Sequence, residues 1–178
     1  MKPFLAALAV AAVALGACYQ SKTLLLDPKL AATPLATGRQ TVLDDGGMPE
    51  DIEIALGPDR WYRIKDAGAG EDKADRFLFT PLAGGPEGRW LAFAMQDKTA
   101  FVYGVAEQRD GKVYLDLPFC DLGPTRDIAI AHGVKVAAKG AMSPICQFDK
   151  AADLQGALAD YARRPGDRTK LAVLPGAP

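Results

Sequence analysis

Between Arg76 and Leu117, apolar and polar residues fall into short runs separated by turn-forming residues, which is the pattern of antiparallel strands. Phe77-Leu78-Phe79 leads to Gly84-Gly85-Pro86-Glu87-Gly88, and Trp90 to Ala94 forms a second apolar run. Gln96-Asp97-Lys98 turns the chain into Phe101 to Val105, and Arg109-Asp110-Gly111-Lys112 turns it again into Val113 to Leu117. Asp110-Gly111 suits a tight hairpin because glycine accepts positive φ at little steric cost. The spacing predicts a four-stranded antiparallel meander. Period-two geometry puts Phe101, Tyr103 and Val105 on one face, and Val113, Leu115 and Leu117 on one face of the next strand. Such rows can line a ligand groove, although more often they are the core.

The flanks are read in the same way. Leu35 to Leu43 and Ile52 to Leu56 suit strands, and Arg60 to Lys65 interleaves aromatic and β-branched residues with bases, as a strand with one wet face does. Asp44-Asp45-Gly46-Gly47 is a turn cluster that lacks the oxygen-ligand ladder of a calcium loop. Ile128 to Ala131 and Val134 to Ala138, on either side of His132-Gly133, fit two short strands or a helical turn and one strand. Cys146-Gln147-Phe148 ends a strand, and Asp149 is placed to cap a helix whose stripe of Leu154, Leu158 and Tyr161 has helical spacing. Pro165-Gly166 stops that helix, and Lys170 to Leu174 suits a last strand. The fold class is α+β: an antiparallel β-meander with a C-terminal helix packed on the sheet, in one globular domain over residues 35–178.

Composition narrows the chemistry. The 178 residues carry a formal net charge of −1, with no long run of one sign, so neither a nucleic-acid surface nor a polybasic membrane surface is expected. Thirteen prolines and eighteen glycines suit a loop-rich body of short elements. No metal or cofactor site is expected, since the cysteines lack close-spaced partners and His132 is the single histidine.

The N-terminus decides where such a domain would live. Lys2 gives a short positive region, Phe4 to Leu15 is unbroken apolar sequence, and small residues precede Cys18. The run is too short to cross the hydrocarbon core, which makes it an export signal. Leu15-Gly16-Ala17-Cys18 resembles the lipobox of bacterial lipoproteins. The resemblance implies a signal peptide over residues 1–17, a diacylglycerol on the Cys18 thiol, acylation of the new amino terminus, and a lipidated tether over residues 18–34. Two or three acyl chains make a durable anchor where one does not. Thr23-Leu24-Leu25-Leu26 is too apolar for a purely solvated tether, so part of this segment docks on the domain. The sorting rule of enterobacterial lipoproteins associates an aspartate after the cysteine with inner-membrane retention; Tyr19 stands there, which leans towards the outer membrane.

With Cys18 lipidated, Cys120 and Cys146 remain as an even pair in an oxidising compartment, and a disulfide is the simplest reading, two buried thiols the alternative. Function is expected to be non-catalytic: the binding or positioning of another envelope component, possession of the lipid making the membrane itself one partner. The alternatives are a small-ligand carrier using the aromatic faces of the meander, and an enzyme using His132 with a carboxylate such as Asp116 or Asp121 brought near by the fold.

Overall fold

The computed structural model describes residues 18–43, 47–86, 89–96, 100–134, 136–137, 144–164 and 169–177. The leader, most of the Asp44-Asp45-Gly46-Gly47 cluster, the Asp97-Lys98 turn and the Pro165-Gly166 stop lie outside the described residues. The strands are β1 (Tyr19–Ser21), β2 (Gly38–Leu43), β3 (Pro49–Leu56), β4 (Tyr62–Asp66), β5 (Asp75–Pro81), β6 (Trp90–Gln96), β7 (Phe101–Arg109), β8 (Lys112–Leu117), β9 (Val136–Ala137), β10 (Ile145–Gln147) and β11 (Thr169–Pro175). The α-helices among the described residues are α1 (Gly123–Ala131) and α2 (Ala151–Arg163). The architecture is α+β, with a mixed, mainly antiparallel sheet and the C-terminal helix packed on it.

From β2 to β8 each strand pairs antiparallel with the next, and β11 pairs antiparallel with β8. The sheet then curls back on itself. Leu35 bridges Gly176, the Ala36 N–H donates to the Pro175 carbonyl at 3.1 Å, and the Ala177 N–H donates to the Pro34 carbonyl at 2.7 Å. The hairpin between β7 and β8 turns on Asp110 at φ 52° and Gly111 at φ 68°, as its sequence predicts.

Alternation along the strands sorts side chains into two cores. The enclosed face of the curled sheet buries Ile52, Ile54, Tyr62, Phe77, Phe79, Phe93, Val113, Leu115 and Leu117. Phe93 lies 6.0 Å from Phe77 and 6.1 Å from Phe79 between ring centroids, so aromatic side chains fill this space. The outer face buries Leu78, Ala92, Ala94, Tyr103 and Val105 beneath α1 and α2. Leu154, Leu158 and Tyr161 supply the helical side of that second core, as the stripe predicts. The aromatic row of β7 is therefore covered by the protein's own chain. The region around Ile128 resolves as the helical alternative, and Pro at the first turn of α1 suits its missing donor.

Two local expectations change. Asp149 does not cap α2; Lys150 is the N-cap, in extended conformation and without a side-chain bond, because the helix begins one residue too late for the Asp149 carboxylate. Residues 18–34, expected as a tether, begin inside the sheet. β1 pairs with β7 on one side and β10 on the other, and Leu24, Leu25 and Leu26 pack on the outer core. Those leucines do dock, and the strand before them is held more firmly still.

One buried polar atom gives a simple test of the outer core. Thr80 is 1 % exposed and its Oγ1 has no hydrogen-bond partner among the described residues. A buried, unsatisfied hydroxyl costs about 1–3 kcal/mol. Thr80→Val keeps the shape and removes the hydroxyl, so it is expected to raise stability by about 1 kcal/mol, read as a higher urea midpoint at unchanged slope.

Candidate functional site

The sequence directs attention to Cys18, to the Cys120–Cys146 pair and to His132, and the fold places the first two together. Cys18 bridges Phe119, and the Tyr19 N–H donates to the Pro118 carbonyl at 3.3 Å. Cys120 and Cys146 form a disulfide with Cα atoms 5.6 Å apart. Tyr19 is the register partner of Cys146, so β1 runs directly beside one half of the disulfide.

Hydrogen bonds hold β1 at every residue. The Tyr19 hydroxyl donates to the Thr125 carbonyl of α1 at 2.7 Å, and its ring lies 4.9 Å from that of Phe148. The Gln20 carbonyl accepts from the Phe148 N–H at 2.8 Å. Ser21 Oγ lies 2.7 Å from the Tyr103 hydroxyl, which also accepts from the Leu25 N–H at 2.9 Å. Burial raises the ionisation of both tyrosines above the usual phenol range, and both phenols act as neutral hydrogen-bonding groups.

Cys18 itself is enclosed, at 0 % exposure, among the residues of the inner core. Burial, reinforced by the Asp121 carboxylate, pushes its thiol up to about 12. The thiolate is the nucleophilic form, so a thiol in this position is chemically quiet at neutral pH.

His132 is brought to a different partner from those expected. It ends α1, and its Nε2 lies 2.9 Å from Asp160 Oδ2 on α2. Asp121 sits beside Cys18, and Asp116 is a buried residue of β8. Gly156, one turn before Asp160, gives the imidazole its seat: a Cβ there would stand 2.5 Å from His132 Cε1 and 2.7 Å from Nδ1. Asp160 also takes Arg163 Nη1 at 2.7 Å, and Arg163 donates through Nη2 to the Gly84 carbonyl. One ring nitrogen thus faces a carboxylate and the other faces helix backbone, which makes His132 a staple between α1 and α2. Asp160 and Gly156 escaped the sequence reading because they lie on another helix. The available signal was an unexplained glycine inside an otherwise apolar helical stripe.

The His132 hydrogen bond, followed by the charges of His132 and Arg163, outweighs partial burial and holds the Asp160 carboxyl below its ordinary value. A depressed carboxyl adds stability above its unfolded pKa, and that contribution disappears as pH falls through the folded pKa. Gly156→Ala is expected to displace the His132 ring and return Asp160 towards ordinary behaviour. Net stability should stay within about 1 kcal/mol of the parent near neutral pH, because alanine gains helix propensity of that size over glycine. NMR titration of the Asp160 carboxyl checks this: an unchanged titration in the variant would break the link between the glycine and the staple.

Among the described residues, no group of three or more His, Cys, Asp or Glu side chains is disposed to hold a metal, and no helix is long and apolar enough to cross a membrane. Comparison of the chain with protein families, with curated proteins and with solved structures finds no match.

Proposed function

We propose that this chain is a bacterial envelope lipoprotein, anchored through Cys18 and non-catalytic, whose folded body binds or positions another envelope component. The observation that carries the reading is the lipobox-type run Leu15-Gly16-Ala17-Cys18 placed immediately before a strand of the fold. The disulfide between Cys120 and Cys146 supports an oxidising compartment. The consecutive antiparallel neighbours from β2 to β8 support reading the body as a meander. A filled inner core and a covered β7 row favour a binding surface over an internal carrier site, and the engagement of His132 with Asp160 and Gly156 favours a structural role for the histidine.

Lipid on the thiol requires Cys18 to leave the inner core. Cys18 lies just ahead of β1, and that strand has its own contacts from Tyr19 onward, so it can keep its place when Cys18 moves. Tyr19 is packed against Phe148 and bonded to Thr125, so an aspartate at this position would bury a carboxylate. Packing therefore constrains the residue that leans the sorting towards the outer membrane, and membrane fractionation is the appropriate check on location.

Intact-mass analysis of protein purified from bacterial membranes, with and without reduction and beside Cys18→Ser, tests the reading. The expected result is a chain beginning at Cys18, heavier by acyl groups, that gains two hydrogens on reduction. An unlipidated chain cut elsewhere would sink it.

A further inference from the structure

A lipid on Cys18 has a spatial consequence for α1. Tyr19 already belongs to β1, so almost no chain separates the lipidated residue from the folded body. Phe119, the bridge partner of Cys18, leads through Asp121 into α1, and the bond from the Tyr19 hydroxyl to the Thr125 carbonyl ties that helix to the anchor strand. The inward side of α1 buries Thr125, Ile128 and Ala129. Its outward side carries Leu122 at 43 % exposure and Ile130 at 52 %, with Arg126 between them at helical spacing.

We infer that the outward face of α1, formed by Leu122, Arg126 and Ile130, seats in the headgroup layer of the membrane that holds the Cys18 lipid. This rests on the lipoprotein reading. Two apolar side chains cannot hold a protein on a bilayer, and the acyl chains supply the attachment. The helix face supplies orientation. Leu122 and Ile130 enter the acyl boundary while Arg126 lays its stem along the apolar surface and keeps its guanidinium at the phosphates. Asp121 and Asp127 offset Arg126, so the contact does not depend on anionic lipid. Leu43 and Met48 are also exposed apolar residues, but they belong to the β2–β3 hairpin, which β4 to β7 separate from β1 in the order of the sheet. The body is thus held close to its membrane in one orientation, and the partner it engages is one that reaches that surface.

The test uses the full lipidated protein in phosphatidylcholine vesicles, with a nitroxide label at Ile130→Cys or, for comparison, at Met48→Cys. With Cys18 lipidated and Cys120 bonded to Cys146, the introduced thiol takes the label. The label at 130 is expected to be several-fold less accessible to an aqueous nickel reagent than the label at 48, and more accessible to oxygen. Equal aqueous accessibility at both positions, in protein whose mass shows the acyl groups, would overturn the α1 surface and leave the lipoprotein reading standing. A mass without acyl groups would overturn both.

Discussion

Replacing Gly104 by alanine is expected to lower stability by about 3 kcal/mol, the upper end of the usual cost of overpacking a core. Gly104 lies at the middle of β7, directly opposite Phe93 on β6. A Cβ at this position would stand 2.4 Å from the Asp116 carbonyl oxygen and 2.5 Å from Phe93 Cζ. The ring could turn aside only by moving into Phe77 and Phe79, and the carbonyl belongs to the backbone of β8. Neither neighbour yields cheaply. Gly104 also stands where the partner of β7 changes, from β1 at Val102 to β8 at Val105. The methyl group would therefore strike the point at which β1 and β8 meet along β7. Urea unfolding of Gly104→Ala, alone and with Phe93→Leu, separates the two clashes. The second substitution should recover part of the loss by freeing ring volume, and the remainder belongs to the carbonyl. Wild-type stability of Gly104→Ala would refute this packing.

Why Gly104 could not be singled out from sequence is the general reason for what was and was not legible. The strands from Phe77 to Leu117 were legible because their signals are local: an apolar run, then a turn, then another run. Asp110-Gly111 adopts the left-handed backbone that its side chains permit, independent of anything distant. The helix of Leu154, Leu158 and Tyr161 was legible for the same reason, since one face repeats at its own spacing. β1 was not. Tyr19-Gln20-Ser21 has no period to read, and it is a strand because Val102 and Cys146 lie on either side of it, far along the chain. The leader before it also suggests a tether. At His132 the chemistry of the residue was visible, but its partner was not, because Asp160 is chosen by the packing of α1 on α2 across Gly156.

The integration of β1 changes what a lipid anchor would mean mechanically. A flexible tether decouples a domain from its membrane, whereas a three-residue strand bonded to two neighbours transmits position and load into the sheet. The load would enter at Tyr19 and pass to β7, to β10 and, through the Thr125 carbonyl, to α1. The disulfide links two of these elements, since Cys120 lies shortly before α1 and Cys146 lies within β10.

Removing that disulfide, as Cys120→Ala with Cys146→Ala, is accordingly expected to cost about 3–4 kcal/mol by the chain-entropy account for a loop of this size. The two cysteines are 26 residues apart, and the segment they close contains α1 and β9. Both are fully buried, so alanine is the appropriate replacement and serine would add an unsatisfied hydroxyl. The loss should not be evenly spread. β10 is short and pairs with β9 and β1, so without the cross-link to Cys120 these strands become the least stable part of the sheet. Hydrogen exchange should show protection falling first at Tyr19–Ser21 and Ile145–Gln147, while β5 to β7 keep theirs until global unfolding. Chemical reduction of the parent protein should reproduce the same shift in urea midpoint as the double substitution. If reduction and substitution both leave the midpoint unchanged, the disulfide contributes nothing to the fold, and the hold on β1 must come from its pairing with β7 and β10 and from the hydrogen bonds of Tyr19, Gln20 and Ser21.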